Sequence, residues 1–93
     1  MNFEWDNAKS DACFGQRGFD FAYALQVFID PNRLVRKDHR WDYGEDRYQI
    51  LGMIEQKIYF VVYTDRNSTI RIISARKANQ REVKAYENSA RQG

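Results

Sequence analysis

Residues 69–86 read TIRIISARKANQREVKAY, and two periodicities meet inside them. From Thr69 to Ala75 the run is apolar and β-branched, as a strand requires. From residue 80 the pattern turns helical: Val83, Tyr86 and Ala90 share one side, and Arg81, Lys84, Asn88 and Arg91 share another. Asn79 followed by Glu82 resembles a capping box, with Asn in the place usually held by Ser or Thr. That spacing predicts a helix start near residue 80. Cations run through both halves: Arg71, Arg76, Lys77, Arg81 and Lys84. Strand side chains alternate between faces, so Arg71 is expected opposite Ile70 and Ile72. Ile73 then falls on the face of Arg71, a conflict within the pattern.

Working outward, KIYFVVYT (57–64), RYQILGM (47–53) and RLVRK (33–37) read as three more strands, and DRNS (65–68) as a short turn. HRWDYGED (39–46) is a polar loop. Consecutive short strands with tight turns predict an antiparallel meander. Upstream, FEW (3–5) reads as a short first strand. Asp6 caps a helix running to about Phe14, before Gly15 and Gly18. Asp20 caps a second helix through FAYALQVF (21–28), ended by Asp30-Pro31. The expected fold is α+β over a single domain, 1–93. It has two N-terminal helices, an antiparallel four- to five-stranded sheet and a C-terminal helix. Helices on one face are expected to leave the other free for an RNA or a protein.

Composition narrows the function. The chain has 93 residues, 43% hydrophobic and 30% charged, with one proline. That is a folded domain with a small core, so a deep enclosed active site is not expected. IYFVVY is too short to span a bilayer. The acidic start MNFEWDNAKS is no secretory signal, and one cysteine, Cys13, forms no internal disulfide. A cytoplasmic location without membrane contact is expected. Net charge is only +2, but from residue 65 onward seven cations stand against three acids, which leaves −2 on residues 1–64. A basic C-terminal third points to an anionic partner.

Several chemistries lack their motifs. One histidine, His39, and one cysteine give no zinc spacing. No acidic run has calcium-loop spacing. The five glycines form no GxGxxG or Walker pattern, and Ser10, Ser68, Ser74 and Ser89 lie outside any nucleophile elbow. No metal or cofactor is expected. Arginine and aromatic chemistry remain. RNA cleaves itself when its 2′-hydroxyl attacks the adjacent phosphate, and a protein aids this by alignment, proton movement and charge stabilisation. Arginine's fork binds two phosphate oxygens and stays charged. Trp41, Tyr43, Tyr48, Tyr59, Tyr63 and Tyr86 are rings on which a base can stack. Histidine is the side chain that ordinarily titrates near neutrality, which makes His39 a candidate acid or base; Glu45 and Lys77 stay open beside it. The same basic face would also serve a non-catalytic binding module.

Several segments together resemble one family. FEWD (3–6) is followed by Lys9. GFDFAYALQVFIDP (18–31) ends in Asp30-Pro31. GEDRYQILG (44–52) carries Gly44, Glu45, Arg47 and Gly52 in a GE-x-R-x-x-x-x-G pattern. VVYTDR (61–66) and IRIISARKA (70–78) precede Glu82 and Tyr86 in an E-x-x-x-Y spacing. The chain resembles the BrnT toxins, small RelE-like ribonucleases of type II toxin–antitoxin systems. The resemblance implies a RelE-like fold, metal-independent RNA cleavage that inhibits translation, and a BrnA-type antitoxin through which alone operator DNA is bound. It places Arg66, Arg76, Lys77 and Arg81 on the family's basic C-terminal motif. With His39 these are the expected catalytic residues. Arg47, Arg71, Lys84, Tyr63 and Tyr86 are the expected RNA contacts. The family commonly has Lys-His-Gly before its second helix, where this chain has Gln16, Arg17 and Gly18. Arg17 keeps positive charge there but moves no proton near neutral pH.

Overall fold

The computed structural model describes residues 1–40, 42 and 44–92, so Trp41 and Tyr43, read above as stacking rings, lie outside the described residues. Nine elements follow in order. They are β1 (Asn2–Trp5), α1 (Asn7–Arg17), α2 (Phe21–Ala24), a 3₁₀ segment (Leu25–Ile29), β2 (Leu34–Asp38), β3 (Arg47–Ile54), β4 (Lys57–Arg66), β5 (Thr69–Lys77) and α3 (Gln80–Gln92).

The strands form one sheet in the order β1-β5-β4-β3-β2. The meander β2–β5 is antiparallel as expected. β1 corrects the all-antiparallel expectation: it pairs in parallel with β5, because the chain crosses from β1 through helices and the meander before returning. Two hairpins turn on two residues each, Glu55-Gln56 and Asn67-Ser68, all four with positive φ. That is the turn geometry matching the right-handed twist of paired strands.

The N-terminal helices also differ in part. Asp6 caps α1 through Lys9 N at 3.1 Å. The helix passes through Gly15 and ends at Gly18, whose φ of 82° closes it. Asp20 caps α2 as expected, but α2 lasts one turn and tightens into the 3₁₀ segment. Gly52 lies against that segment: a Cβ on it would come within 2.6 Å of Val27 Cβ.

A bulge between Val62 and Tyr63 decides which side chains share a face. Tyr63 pairs with Ile72 and Val62 with Ser74, so Ile73 is the extra residue. A bulge resets the two-residue alternation. Ile70, Ile72 and Ala75 therefore join the core beneath α1 and α2, while Arg71 and Arg76 both point from the other face. Ile73 packs on that other face with Leu51, Phe60 and Val62, which resolves the conflict within its pattern.

The second face is not left free, as had been expected. Tyr86 and Val83 of α3 pack on Leu51, Ile58 and Phe60. The Tyr86 hydroxyl donates to Asp30 Oδ2 at 2.5 Å, and the same carboxylate accepts from Met53 N and Asn32 N. Asp30 thus ties the 3₁₀ segment, the edge of β3 and α3 together. α3 covers one end of this face; among the described residues no helix covers the end around Thr64.

A basic corner and the open end of the sheet

β1 runs along β5 only from Thr69 to Ile72. Beyond it α1 takes over that edge, with Cys13 Sγ donating to Ala75 O at 3.5 Å. A cleft of about 310 Å³ opens at this corner. Lys9, Gln16 and Arg17 of α1 line one wall, Ser74 and Arg76 of β5 the other. Among the described residues that line it, three are cations and none is an acid. A second cleft of about 420 Å³ adjoins it through Arg17 and holds Phe14, Phe19, Tyr23, Tyr59, Asp20 and Lys77. Phe14 is 60% exposed, an uncovered ring at its mouth.

Arg76 is the most constrained of these cations. Its guanidinium lies 4.0 Å from the centre of the Phe60 ring and forks onto Glu82 at 2.8 and 2.9 Å. Glu82 also accepts from Asn79 N, and Glu82 N donates to Asn79 Oδ1, so the capping box forms in full. Burial works to raise the Glu82 pKa, but Arg76, the Asn79 amide and the Arg36 charge outweigh it and hold the carboxyl below its usual range. Arg76 is therefore both a cleft wall and the anchor of α3.

The other candidates disperse. Arg66 pairs with Glu45 through Nε at 2.8 Å. It sits opposite Thr69, roughly 20 Å along β5 from Arg76 at the rise of a strand. Lys77 enters the aromatic cleft. Arg81 and Lys84 are exposed on the outer side of α3. His39 is exposed after β2, three strand spacings from β5, or roughly 14 Å; it is not brought beside Arg76. Glu45 is taken up by Arg66. Tyr63 and Tyr86 are corrected from stacking platforms to core residues: they are 8% and 3% exposed. Tyr63 packs on Phe28 and Tyr48. Burial, with the Asp30 bond, pushes the Tyr86 phenol up to about 12.

Arg47 and Arg71 lie in one row across the open end of the sheet. The register sets Asp38 against Arg47, Thr64 against Arg71, and Arg71 against Glu4. Continued one residue past Tyr48–Tyr63, it sets Arg47 beside Thr64. At one end of the row Asp38 is gripped by the Arg40 fork at 2.9 and 2.7 Å. That fork holds its carboxyl down at about 2, against the opposing effect of burial. At the other end Glu4 stands 3.7 Å from Arg71, both partly exposed.

Lys9 and Arg17 were missed as site residues from sequence. Their helix is remote in the chain from the C-terminal cations, and the signals were that Lys9 follows FEWD in the family resemblance and that Arg17 falls where the family has its Lys-His pair. Among the described residues no three His, Cys, Asp or Glu side chains converge as metal ligands would, and no helix is long and apolar enough to cross a membrane. No curated protein matches the chain. A family model does, described as the ribonuclease toxin BrnT of type II toxin–antitoxin systems, over residues 5–82. With both walls of the corner cleft inside that match, this chain belongs to the BrnT family of ribonuclease toxins.

Proposed function

We propose that the chain is an endoribonuclease that cuts without a metal at the corner between α1 and β5. The 2′-oxygen of the substrate forms a bond to the adjacent phosphorus and the bond to the 5′-oxygen breaks, leaving a 2′,3′-cyclic phosphate. The 2′-hydroxyl gives up a proton and the departing 5′-oxygen takes one. Lys9, Arg17 and Arg76 hold the phosphate and stabilise the extra charge of its pentavalent state. A neighbouring base rests against Phe14 in the aromatic cleft, with Lys77 above its backbone. The observation that carries this reading is the joining of a cationic cleft and an aromatic cleft through one side chain, Arg17. A phosphate and its base need those two surfaces side by side.

Catalysis then rests on alignment and charge, because no histidine lines either cleft. Lys9 and Lys77 are the ammonium donors within them. Cutting translated RNA inhibits translation, and a BrnA-type antitoxin neutralises the toxin by covering the corner and the arginines Arg71, Arg76 and Arg81. Operator DNA is bound through the antitoxin, since among the described residues no helix follows the turn that sets a recognition helix in a groove.

The missing histidine favours one second reading, a member that binds RNA on this surface without cutting it. Purified protein incubated with RNA in excess EDTA separates the two. Cleavage with cyclic-phosphate or 3′-phosphate ends is the expected result. Activity lost in EDTA and restored by one divalent ion overturns the chemistry, and binding without cleavage establishes the second reading.

A further inference from the structure

Thr64 sits in the centre of the sheet, on the face that carries Arg71 and Arg76, and is 1% exposed. Among the described residues its hydroxyl has no hydrogen-bond partner. A buried hydroxyl without a partner costs desolvation free energy that valine, of the same shape, would not incur. Buried polar groups left in that state mark places where something other than folding sets the residue. The surroundings indicate what that is. Arg71 lies against Thr64 in register, and Arg47 flanks it on the other side. Arg71 is partly exposed, so its long side chain can swing off the hydroxyl without disturbing the strands. The Glu4 partner of Arg71 is distant and half-exposed, an ion pair of the kind worth little in water.

We propose that Thr64, between Arg47 and Arg71, is a second phosphate-binding site for the RNA strand, separate from the corner cleft. The arginine forks take the two non-bridging oxygens of a phosphodiester, and the Thr64 hydroxyl donates to one of them, since each such oxygen can accept more than one donor. The strand then runs from the corner past Arg76 and down the open end of the sheet, and the orphan hydroxyl gains its acceptor only when RNA is bound. The inference rests on the RNA reading above.

The test uses two probes on the full chain. Inorganic phosphate is titrated into isotopically labelled protein while the amide signals of Thr64 and Arg71 are followed. A 2′-O-methyl RNA oligonucleotide, which cannot be cut, measures affinity by fluorescence anisotropy. Phosphate is expected to move both signals in the wild type and not in Thr64→Val. RNA affinity is expected to fall about tenfold in Thr64→Val, from loss of one bond to a charged group, and to be mostly kept in Thr64→Ser. Thr64→Val is also expected to melt no lower than the wild type. Unchanged RNA affinity in Thr64→Val, or signals unmoved by phosphate, overturns the site. So does a lowered midpoint, which would give the hydroxyl a structural partner. Signals that respond to an acidic peptide but not to phosphate assign the row to a protein partner and overturn it too. RNA that binds through Thr64 yet is never cut by the wild type overturns the cleavage reading and leaves this site standing.

Discussion

Arg76 shows how one side chain can mislead a functional assay. It walls the corner cleft, but it also stacks on Phe60 and holds Glu82, which caps α3. Arg76→Ala is expected to cost about 2 kcal/mol of stability, because it leaves a largely desolvated carboxylate unpaired. Thermal denaturation beside the toxicity assay checks this; an unchanged midpoint would free Arg76 from its structural role. Arg17 is exposed, bonds its neighbour Gln16 and lies beside the Cys13 thiol, so Arg17→Ala should shift stability by no more than about 0.5 kcal/mol. The acids give a pH dependence of definite sign. Asp30 and Glu82 are held below their ordinary range, and Asp38 at about 2. For Asp30, burial raises the pKa, but the bonds from Tyr86 and two backbone amides outweigh it. Lowered folded-state values mean stability that is complete above the unfolded carboxyl range near pH 4 and lost as pH falls toward 2. The midpoint should be flat from pH 5 to 7 and drop below pH 4, with a smaller drop in Asp38→Asn. Of these contacts, the Asn79–Glu82 box was legible because its spacing is local. The Arg76–Glu82 fork was not, since it spans a strand end and a helix start.

Among the elements, apolar runs and helical spacing carried the meander and α3. The continuous apolar run of 57–64 survives because β4 is buried on both faces, and the stripe of Val83, Tyr86 and Ala90 because α3 faces the sheet on one side. Three features were hidden for physical reasons. The parallel partner of β1 depends on contacts across most of the chain, which no local pattern records. The second helix tightens because the 3₁₀ segment must approach β3 at Gly52, a tertiary demand that overrides helical spacing. The bulge at Ile73 left a trace, the adjacent Ile72 and Ile73, which cannot both face one core in a regular strand. Two substitutions probe this level. Gly52→Ala should destabilise by about 2 kcal/mol, since its methyl would collide with Val27 and the backbone there has to shift. Gln56→Gly should stabilise by about 1 kcal/mol, because φ of 73° suits glycine and strains glutamine. Chemical denaturation of both variants checks the pair; equal effects of one sign would mean the close approach or the turn is misassigned.

Across the whole molecule, the basic residues divide into a corner, where α1 meets β5, and a row on the open end of the sheet. The sequence showed that the C-terminal third is basic, but not which cations gather. Arg66 and Arg76 share a motif and lie roughly 20 Å apart, while Lys9 and Arg17 come from far upstream to complete the cleft. The central claim is that RNA is cut at that corner. The most direct measurement is single-turnover cleavage of one RNA, in EDTA, by the wild type, Arg17→Ala and Arg66→Ala at matched folded concentration. Loss of one charge-stabilising donor should slow Arg17→Ala about a hundredfold, with Arg66→Ala close to wild type. Full activity in Arg17→Ala together with a collapse in Arg66→Ala would contradict the claim and move the site to the far end of β4.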